Sequence, residues 1–600
     1  MCACVISGRR KCGDFLPLLA LLVVFLLVSG GLTRESLWYD EARSMWVVRP
    51  SGPVDVLSRL DHDVHPPLYF LLLDAWVALA GESAYAARML STAFAMLGLA
   101  ATYAVGKRLF DRWTALMAVV VLGTAGVFVY YAREARMYSL MLCLGALSMW
   151  ACVRWLQRPT LARSVSYGLL IAAFLYTHYY AVFFILSQAL YVLLVCPRCL
   201  ARWLAVAALA LALFALWTPG LLQQARAHFD EAPDPSQPTD WWTVCWMITL
   251  LTGGTGWLQL VPFVLGRALV ELRRYSSAIL LLLLWLLVTP LAALMLNVWV
   301  PLFYHARYLI AILPAGALLV AYGLRHVFWR PLACLLLLAL ACTQLVTFDR
   351  FWPGKPPWGP TVRRMVAARR PEEPSLTYIA DCCVEAYYDR QFGIRNGAAL
   401  DLSSRRYSPA EVRELVASLD AAPSIWLIMP ANVPETWDAI WALAADRHVG
   451  YRDGVELMFF YRFDREGGDD LQFRFGDLLR YDGGVVDSMS ARQGEQVCAE
   501  VNLTALAPVD GSYSAGVHLV NSVGALMAQS DEGIGVLDPG EQVSVLRCLR
   551  LPADIEPGDY SLHLVVYNWA NIERLPVVEG GADGIFLGDA LVFSTVTVAE

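Results

Sequence analysis

The sequence predicts a polytopic α-helical membrane protein of about eleven transmembrane helices, followed by an extracytoplasmic α/β region and a β-sandwich. Three observations carry this. The 600 residues are 58% hydrophobic and 16% charged, with a mean hydropathy of +0.50, outside the range of ordinary soluble domains. Apolar runs long enough to span a membrane recur up to about Thr347, whereas beyond Phe348 charge, proline and glycine rise and no such run appears. From Leu471 onward, short strand-like runs alternate with Asp/Gly/Pro turns at regular spacing. The net charge of -7 comes largely from the later part and argues against a nucleic-acid surface.

Arg9, Arg10 and Lys11 precede the apolar run 15–32, which reads as a retained signal anchor because no small-residue cleavage site follows it. Basic residues then recur in short loops: Lys107, Arg108 and Arg112; Arg154, Arg158 and Arg163; Arg198 and Arg202; Arg273 and Arg274; Arg325 and Arg330. An excess of Lys and Arg marks cytoplasmic loops. Threading roughly 20 residues per crossing through these anchors predicts spans near 15–32, 86–106, 113–130, 138–156, 165–179, 180–196, 203–220, 244–266, 277–296, 308–324 and 332–347. The odd count puts the amino terminus inside, and places 33–85, 131–137, 221–243, 297–307 and the whole region after Phe348 outside. The segment 65–81 is apolar but short and holds Asp74; as a crossing it would invert every later basic loop, so it is assigned to a helix lying in the interface. Three regions follow: a membrane domain 1–350, an α/β domain 351–466 and a sandwich, immunoglobulin-like in its strand pattern, 467–600.

In the α/β region the runs LTYIA and SIWLIMP alternate with the helical stretches PAEVRELVASLD and PETWDAIWALAADR, before the alternating run GVELMFFYRF. In the last region QVCAEVNL, YSAGVHLV, QVSVLRCL, YSLHLVVYNW and LVFSTVTV are read as strands. Neither carries a catalytic signature. The 14 cysteines lack metal-type spacing: Cys2, Cys4 and Cys12 precede the first span, Cys196 and Cys199 fit a short loop and Cys382 and Cys383 are adjacent, and most are expected as free thiols. Cys498 and Cys548 fall in two predicted strands of an exported region, where a disulfide is an open alternative.

The unusual polar residues crowd into the external loops. Asp40 and Glu41 in LWYDEAR follow the first span, where a partly desolvated carboxylate can act as general base toward an acceptor hydroxyl; a solvated loop acid is the plainer reading. Asp61, His62, Asp63 and His65 precede the rigid Pro66-Pro67, and either contact a divalent cation or phosphate, or cap the loop. Arg133, Glu134 and Arg136 sit between two apolar spans, where charge is costly unless paired or functional. Arginine forks suit phosphate oxygens, and a Glu134–Arg pair tying loops together is the alternative. His178 in YTHYY and Arg307 in FYHARYL face the same side; His178 reads equally as an interfacial histidine, and Arg307 as a snorkelling residue or an anionic headgroup contact.

With these motifs in order, the chain resembles bacterial glycosyltransferases of the GT-C fold, in the group related to protein O-mannosyltransferases and lipid A aminoarabinose transferases. The resemblance covers roughly residues 15 to 350 through WYDEA at 38–42, HPPLY at 65–69, AARMLS at 86–91, KRLF at 107–110, YAREARMYSL at 131–140, THYYA at 177–181 and ARYL at 306–309. It implies a polyprenyl-phosphate sugar donor, a protein, lipid or glycan acceptor, and a site in the plasma or inner membrane. Asp40 matches the first-loop acid that activates the acceptor, with Glu41 beside it, while His65, Arg133, Glu134, Arg136, Tyr138 and Arg307 would meet the donor phosphate. A divalent cation, if used, would lie near His65 with Asp63 and His178. One departure bears on that: the aminoarabinose branch has an acidic residue and a lysine before its diproline, where this chain has Val64 and His65. The exported regions resemble appendages of some large bacterial members.

Two rival classes share some of these features. A transporter or flippase also places charge at helix ends, but here the acids crowd into external loops and no inverted repeat is evident. A receptor anchored to display its sandwich would not need so many spans.

Overall fold

The computed structural model describes residues 8–48, 52–60, 63–230, 241–266, 268–297, 306–352, 354–379, 384–395, 399–521, 524–580 and 585–599. Asp61, His62, Phe303, Tyr304, His305, Cys2, Cys4, Cys382 and Cys383 lie outside them, as does much of 221–243 and 297–307. The chain forms two compact units, Met1–Lys355 and Pro356–Glu600.

The first unit is helical throughout: α1 Gly8–Ser29, α2 Tyr39–Val47, α3 Pro53–Arg59, α4 Leu68–Ala80, α5 Ala84–Leu109, α6 Arg112–Gly123, α7 Gly126–Ala132, α8 Tyr138–Gln157, α9 Leu161–Leu175, α10 Ala181–Val195, α11 Leu200–Phe214, α12 Thr218–Asp230, α13 Trp241–Thr252, α14 Gly256–Val264, α15 Ser276–Asn297, α16 Leu313–Arg325, α17 Arg330–Val346 and α18 Phe348–Phe351. Among the described residues five stretches are long and apolar enough to cross a membrane: Ala84–Leu109, Tyr138–Gln157, Pro197–Arg226, Ser276–Asn297 and Ala306–Arg325. Five shorter apolar helices accompany them: Phe15–Ser29, Leu68–Ala80, Leu161–Leu175, Ala181–Val195 and Arg330–Val346. Asp111 caps α6 by accepting from the Trp113 and Thr114 amides at 2.7 and 3.1 Å, which fixes the turn after α5. At Gly98 the backbones of α5 and α8 approach so closely that an added Cβ would lie 3.1 Å from the Cys143 Cα.

Two predicted continuous spans are broken. The stretch 113–130 divides into α6 and α7, bent by 69°. Its break is stabilised by the Thr124 hydroxyl, which reaches the Val120 carbonyl at 2.9 Å and the Gln344 side chain of α17 at 2.8 Å. The stretch 244–266 divides into α13 and α14 because Gly253 and Gly254 take left-handed backbone angles, φ +58° and +71°, that end a helix. The apolar segment 65–81 forms α4, 13 residues and so about 20 Å long, short of a roughly 30 Å hydrocarbon core. Tyr69 lies 3.2 Å from Ser91 Oγ and Trp76 Nε1 donates to the Ala86 carbonyl at 2.7 Å, so α4 runs beside the first turns of α5. Cys196 and Cys199, expected as free thiols, are disulfide-bonded, because the tight turn Pro197–Cys199 brings them together.

The second unit holds a five-stranded sheet of order β2-β1-β3-β5-β4, built from β1 Ser375–Thr377, β2 Ala399–Asp401, β3 Ser424–Pro430, β4 His448–Val455 and β5 Met458–Asp464. β1 pairs in parallel with β2 and β3, as helical connections require, whereas β5 is antiparallel to β3 and β4. Its helices are α19 Trp358–Ala368, α20 Val384–Phe392, α21 Pro409–Ser418 and α22 Pro434–Ala444. Proline begins both α21 and α22, and Ser408 with Glu411 forms a capping box before α21. The run GVELMFFYRF is not one strand, since the chain turns at Glu456, φ +53°, between β4 and β5.

The remaining strands are β6 Phe473–Phe475, β7 Leu479–Val486, β8 Ser490–Arg492, β9 Gln496–Ala505, β10 Tyr513–Val520, β11 Leu526–Gly533, β12 Gln542–Arg550, β13 Gly558–Asn568, β14 Glu573–Arg574, β15 Val577–Glu579, β16 Ile585–Gly588 and β17 Leu591–Ala599. They form two six-stranded sheets, β11-β10-β13-β17-β8 with β14 beside β13, and β12-β9-β7-β6-β15-β16. Cys498 and Cys548 stand opposite each other in the β9–β12 register and are bonded.

Candidate active site

Asp40 and Glu41 open α2, where the positive end of the helix favours acids. Successive helical residues point about 100° apart, and the two carboxylates meet different surroundings. Glu41 is wholly buried. Its Oε1 accepts from Arg88 Nε at 2.8 Å and the Ala135 amide at 2.9 Å, and its Oε2 accepts from Arg88 Nη2 at 2.6 Å and Lys355 Nζ at 2.9 Å. Burial pushes this carboxyl up, but Lys355 and Arg88 overcome it and bring it down to about 2. Arg88, projecting from α5, also binds the carbonyls of Leu32 and Glu35 at 2.8 Å and Ser36 at 2.7 Å. All its N–H groups are thereby used, so this pair folds the loop 32–41 onto α5.

Asp40 stays partly accessible, and its Oδ2 accepts from Arg307 Nη1 at 2.9 Å. Burial raises its carboxyl, and the guanidiniums of Arg136 and Arg307 outweigh that and hold it below the ordinary value. Arg136, buried after the tight turn at 133–136, reaches the Asp40 carbonyl at 3.4 Å and Ser44 Oγ at 3.3 Å. The Arg307 guanidinium lies 5.6 Å from the Tyr138 ring centre and 5.7 Å from that of Tyr308. Tyr308 in turn lies 5.1 Å from His178. Within this group Arg136 Nε, Tyr138 Oη, His178 Nε2 and Arg307 Nε are buried and have no hydrogen-bond partner among the described residues. Buried polar groups are normally paired. Four unmatched donors beside one carboxylate make a cluster suited to an anion.

Asp63 Oδ1 accepts from the Val64 and His65 amides at 2.8 and 3.0 Å and bonds His65 Nδ1 at 2.7 Å. The His65 and His178 rings meet edge-on at 5.4 Å, and His178 Nδ1 accepts from the Tyr180 amide at 3.2 Å, which leaves the neutral ring's proton on Nε2. Burial first, then His65, Arg136 and Arg307, keep His178 far below its ordinary value, so it is neutral. Gln224 of α12 braces this loop by donating to the carbonyls of Leu60 at 2.9 Å and His65 at 3.1 Å. The three residues expected around a cation do lie together, with Asp63 Oδ1 bonded to His65 Nδ1 and Asp63 Oδ2 3.6 Å from Arg43 Nε. Among the described residues no group of three His, Cys, Asp or Glu side chains is arranged to hold one.

The structure thus brings Asp40, Glu41, Asp63, His65, Glu134, Arg136, Tyr138, His178 and Arg307 to one end of the helices. Arg133 is not among them: its Nε and Nη2 donate to the carbonyls of Val28 at 3.0 Å and Leu27 at 2.6 Å, closing the end of α1. Sequence reasoning missed Arg88 and Lys355. The signal for Arg88 was a charge within an apolar span; Lys355 lay beyond the composition break and was assigned to the exported region.

These features define a polytopic helical protein with a cluster of buried donors suited to an anion, and part of its sequence matches a known family. Residues 64–220, which hold His65, Glu134, Arg136, Tyr138 and His178, match the family model of dolichyl-phosphate-mannose-protein mannosyltransferase. Among solved structures, the chain is similar to ArnT from Cupriavidus metallidurans in the apo state, at 12% identity and a TM-score of 0.49 over 76% of this chain and 98% of that one. The same protein bound to undecaprenyl phosphate gives a TM-score of 0.48 at 12% identity, with 76% and 98% covered. The Archaeoglobus fulgidus oligosaccharyltransferase in complex with Zn and sulfate matches at 10% identity and a TM-score of 0.40, over 92% of this chain and 98% of that one. No curated protein matches the sequence.

Proposed function

We propose that the chain transfers a sugar from a polyprenyl-phosphate carrier to a protein, lipid or glycan acceptor on the extracytoplasmic face of the cell membrane. The observation that carries this reading is the Asp40–Arg307 pair at 2.9 Å beside four unmatched buried donors. The donor phosphate would be met by Arg136, Arg307, Tyr138 and His178. Once the phosphate shares the charge of Arg307 and Arg136, Asp40 loses part of the pull that keeps it a weak base, so donor binding readies it for the acceptor. The acceptor oxygen attacks the anomeric carbon and its proton passes to Asp40. The bond from that carbon to the phosphate oxygen breaks, and the electron pair stays on a phosphate held by two guanidiniums. A single displacement of this kind inverts the anomeric centre.

In this reading the chain makes about eleven crossings, with α4 in the interface, an inside amino terminus and an outside second unit, an arrangement favoured because every strongly basic loop then faces the cytoplasm. In that unit the two six-stranded sheets would face each other as a sandwich that follows the α/β region. The outer side of a membrane lacks a nucleotide-sugar pool, which favours a lipid-borne donor. The test offers purified protein a radiolabelled polyprenyl-phosphate sugar or nucleotide sugar in parallel. Label should reach acceptor only from the lipid, with and without exhaustive chelation; transfer from the nucleotide sugar alone defeats the reading.

A further inference from the structure

An acid at a phosphate site is a liability if ionised, and Glu134 is such an acid. It sits on the turn between α7 and α8, fully buried, with Oε1 accepting from Trp38 Nε1 at 3.0 Å. Its Oε2 is buried and has no partner among the described residues. The charged groups that face it are Asp40 and Glu41 from α2, Lys355 beyond α18 and Arg307 ahead of α16. Around them stand the hydroxyls of Tyr130 and Tyr131 from α7 and Tyr138 from α8, and Arg136 follows two residues on. Both facing cations are already engaged, Lys355 with Glu41 at 2.9 Å and Arg307 with Asp40 at 2.9 Å. A third carboxylate in this space would be a buried charge without a partner. A carboxylic acid has no such penalty and presents an O–H donor where Oε2 now stands unpaired.

We propose that Glu134 works as a neutral acid whose Oε2–H donates to a phosphate oxygen of the lipid-linked donor. The proposal rests on the function proposed above and explains how an acid can serve a site for an anion. Burial, together with the carboxylates of Glu41 and Asp40 and against Lys355 and Arg307, pushes the Glu134 carboxyl up to about 7. Loss of its proton removes a donor and adds a like charge, so donor affinity falls as pH rises through that value. Bound phosphate in turn holds the proton on, since the two events favour each other.

The test measures the affinity of purified full-length protein for a polyprenyl-phosphate hexose between pH values of about 5.5 and 8.5. The ligand is a diester that keeps one negative charge across this range, so it contributes no titration of its own. Wild-type affinity should weaken by about tenfold or more toward high pH. Glu134→Gln keeps a neutral donor and should bind at every pH as the wild type does at low pH. A flat wild-type profile, or an equal slope in the variant, overturns the proposal. Infrared difference spectra of the unmodified protein across the same range supply a second reading: a protonated-carboxyl band should disappear toward high pH, and its absence also overturns it. If the wild type binds the diester without pH dependence, only the role of Glu134 falls. If the wild type binds it at no pH, the donor class itself is wrong.

Discussion

The two ends of the helical unit are built from the same residue types and treat them in opposite ways. At one end Arg88, Glu41, Glu134 and Arg136 are buried. At the other, Arg325 Nε faces Asp111 at 3.3 Å with the two side chains 37% and 41% exposed, and Arg163 Nη1 donates to the Arg154 carbonyl at 2.8 Å. In the proposed topology the exposed end uses its charges for orientation, which depends on how many there are. The buried end uses them as parts, each with an assigned partner or an assigned vacancy, so single substitutions there should be severe.

The largest contrast is expected between Asp40 and the Glu41–Arg88 pair beside it. Asp40→Asn keeps the size and removes the proposed base, and should lower turnover by about 10²–10⁴-fold with donor affinity largely kept. Wild-type rates would remove the reason for placing chemistry at this end. Arg88→Ala acts on stability instead: it leaves buried Glu41 with only Lys355 and the Ala135 amide and frees three loop carbonyls, at a cost of roughly 3–5 kcal/mol. Arg88→Lys should rescue little, since an ammonium cannot supply the fork that holds both Glu41 oxygens. Thermal unfolding in detergent separates this from a catalytic loss.

How much of this was legible follows from where the residues lie. Asp40, Glu134, Arg136 and Arg307 stood out because short loops between apolar runs have few reasons to hold charge. Which of two arginines three positions apart meets the site was not legible. Arg133 and Arg136 differ only in the geometry after α7, which sends one to the carbonyls of α1 and the other toward Asp40. That Glu41 is paired was not legible either, because its partners Arg88 and Lys355 lie 47 and 314 positions away. Apolar runs located the helices but not the bend between α6 and α7, which contains no proline. The Gly253-Gly254 pair was a readable breaker within 244–266.

The contrast sharpens with acid. Glu41 is held near pH 2 in the folded chain against an ordinary 4.5. A depressed carboxylate contributes stability that is present above its unfolded value and lost as pH falls through the folded one. That contribution, on the order of 3 kcal/mol, should therefore fade between about pH 4.5 and 2. Glu41→Gln should remove most of this slope while lowering stability at neutral pH. A wild-type unfolding temperature that is unchanged on acidification would mean that the Arg88–Glu41–Lys355 cluster is not a buried charged unit.

The smallest effect is expected at the exposed end, and it is the control for the rest. Arg325→Ala removes the partner of Asp111, but both side chains are more than a third exposed, so solvent already screens the pair. Asp111 keeps its capping bonds to the Trp113 and Thr114 amides, which do not depend on the arginine. The expected change is within about 1 kcal/mol, with turnover unaltered. What the substitution does reduce is the positive charge of one loop, and several other basic loops remain to set orientation. A reporter fused after Asp464 should therefore still read outside, opposite to one fused at Arg330. A loss at Arg325 as large as at Arg88 would mean that this end also holds charges as fixed parts, and the distinction between the two ends would fail.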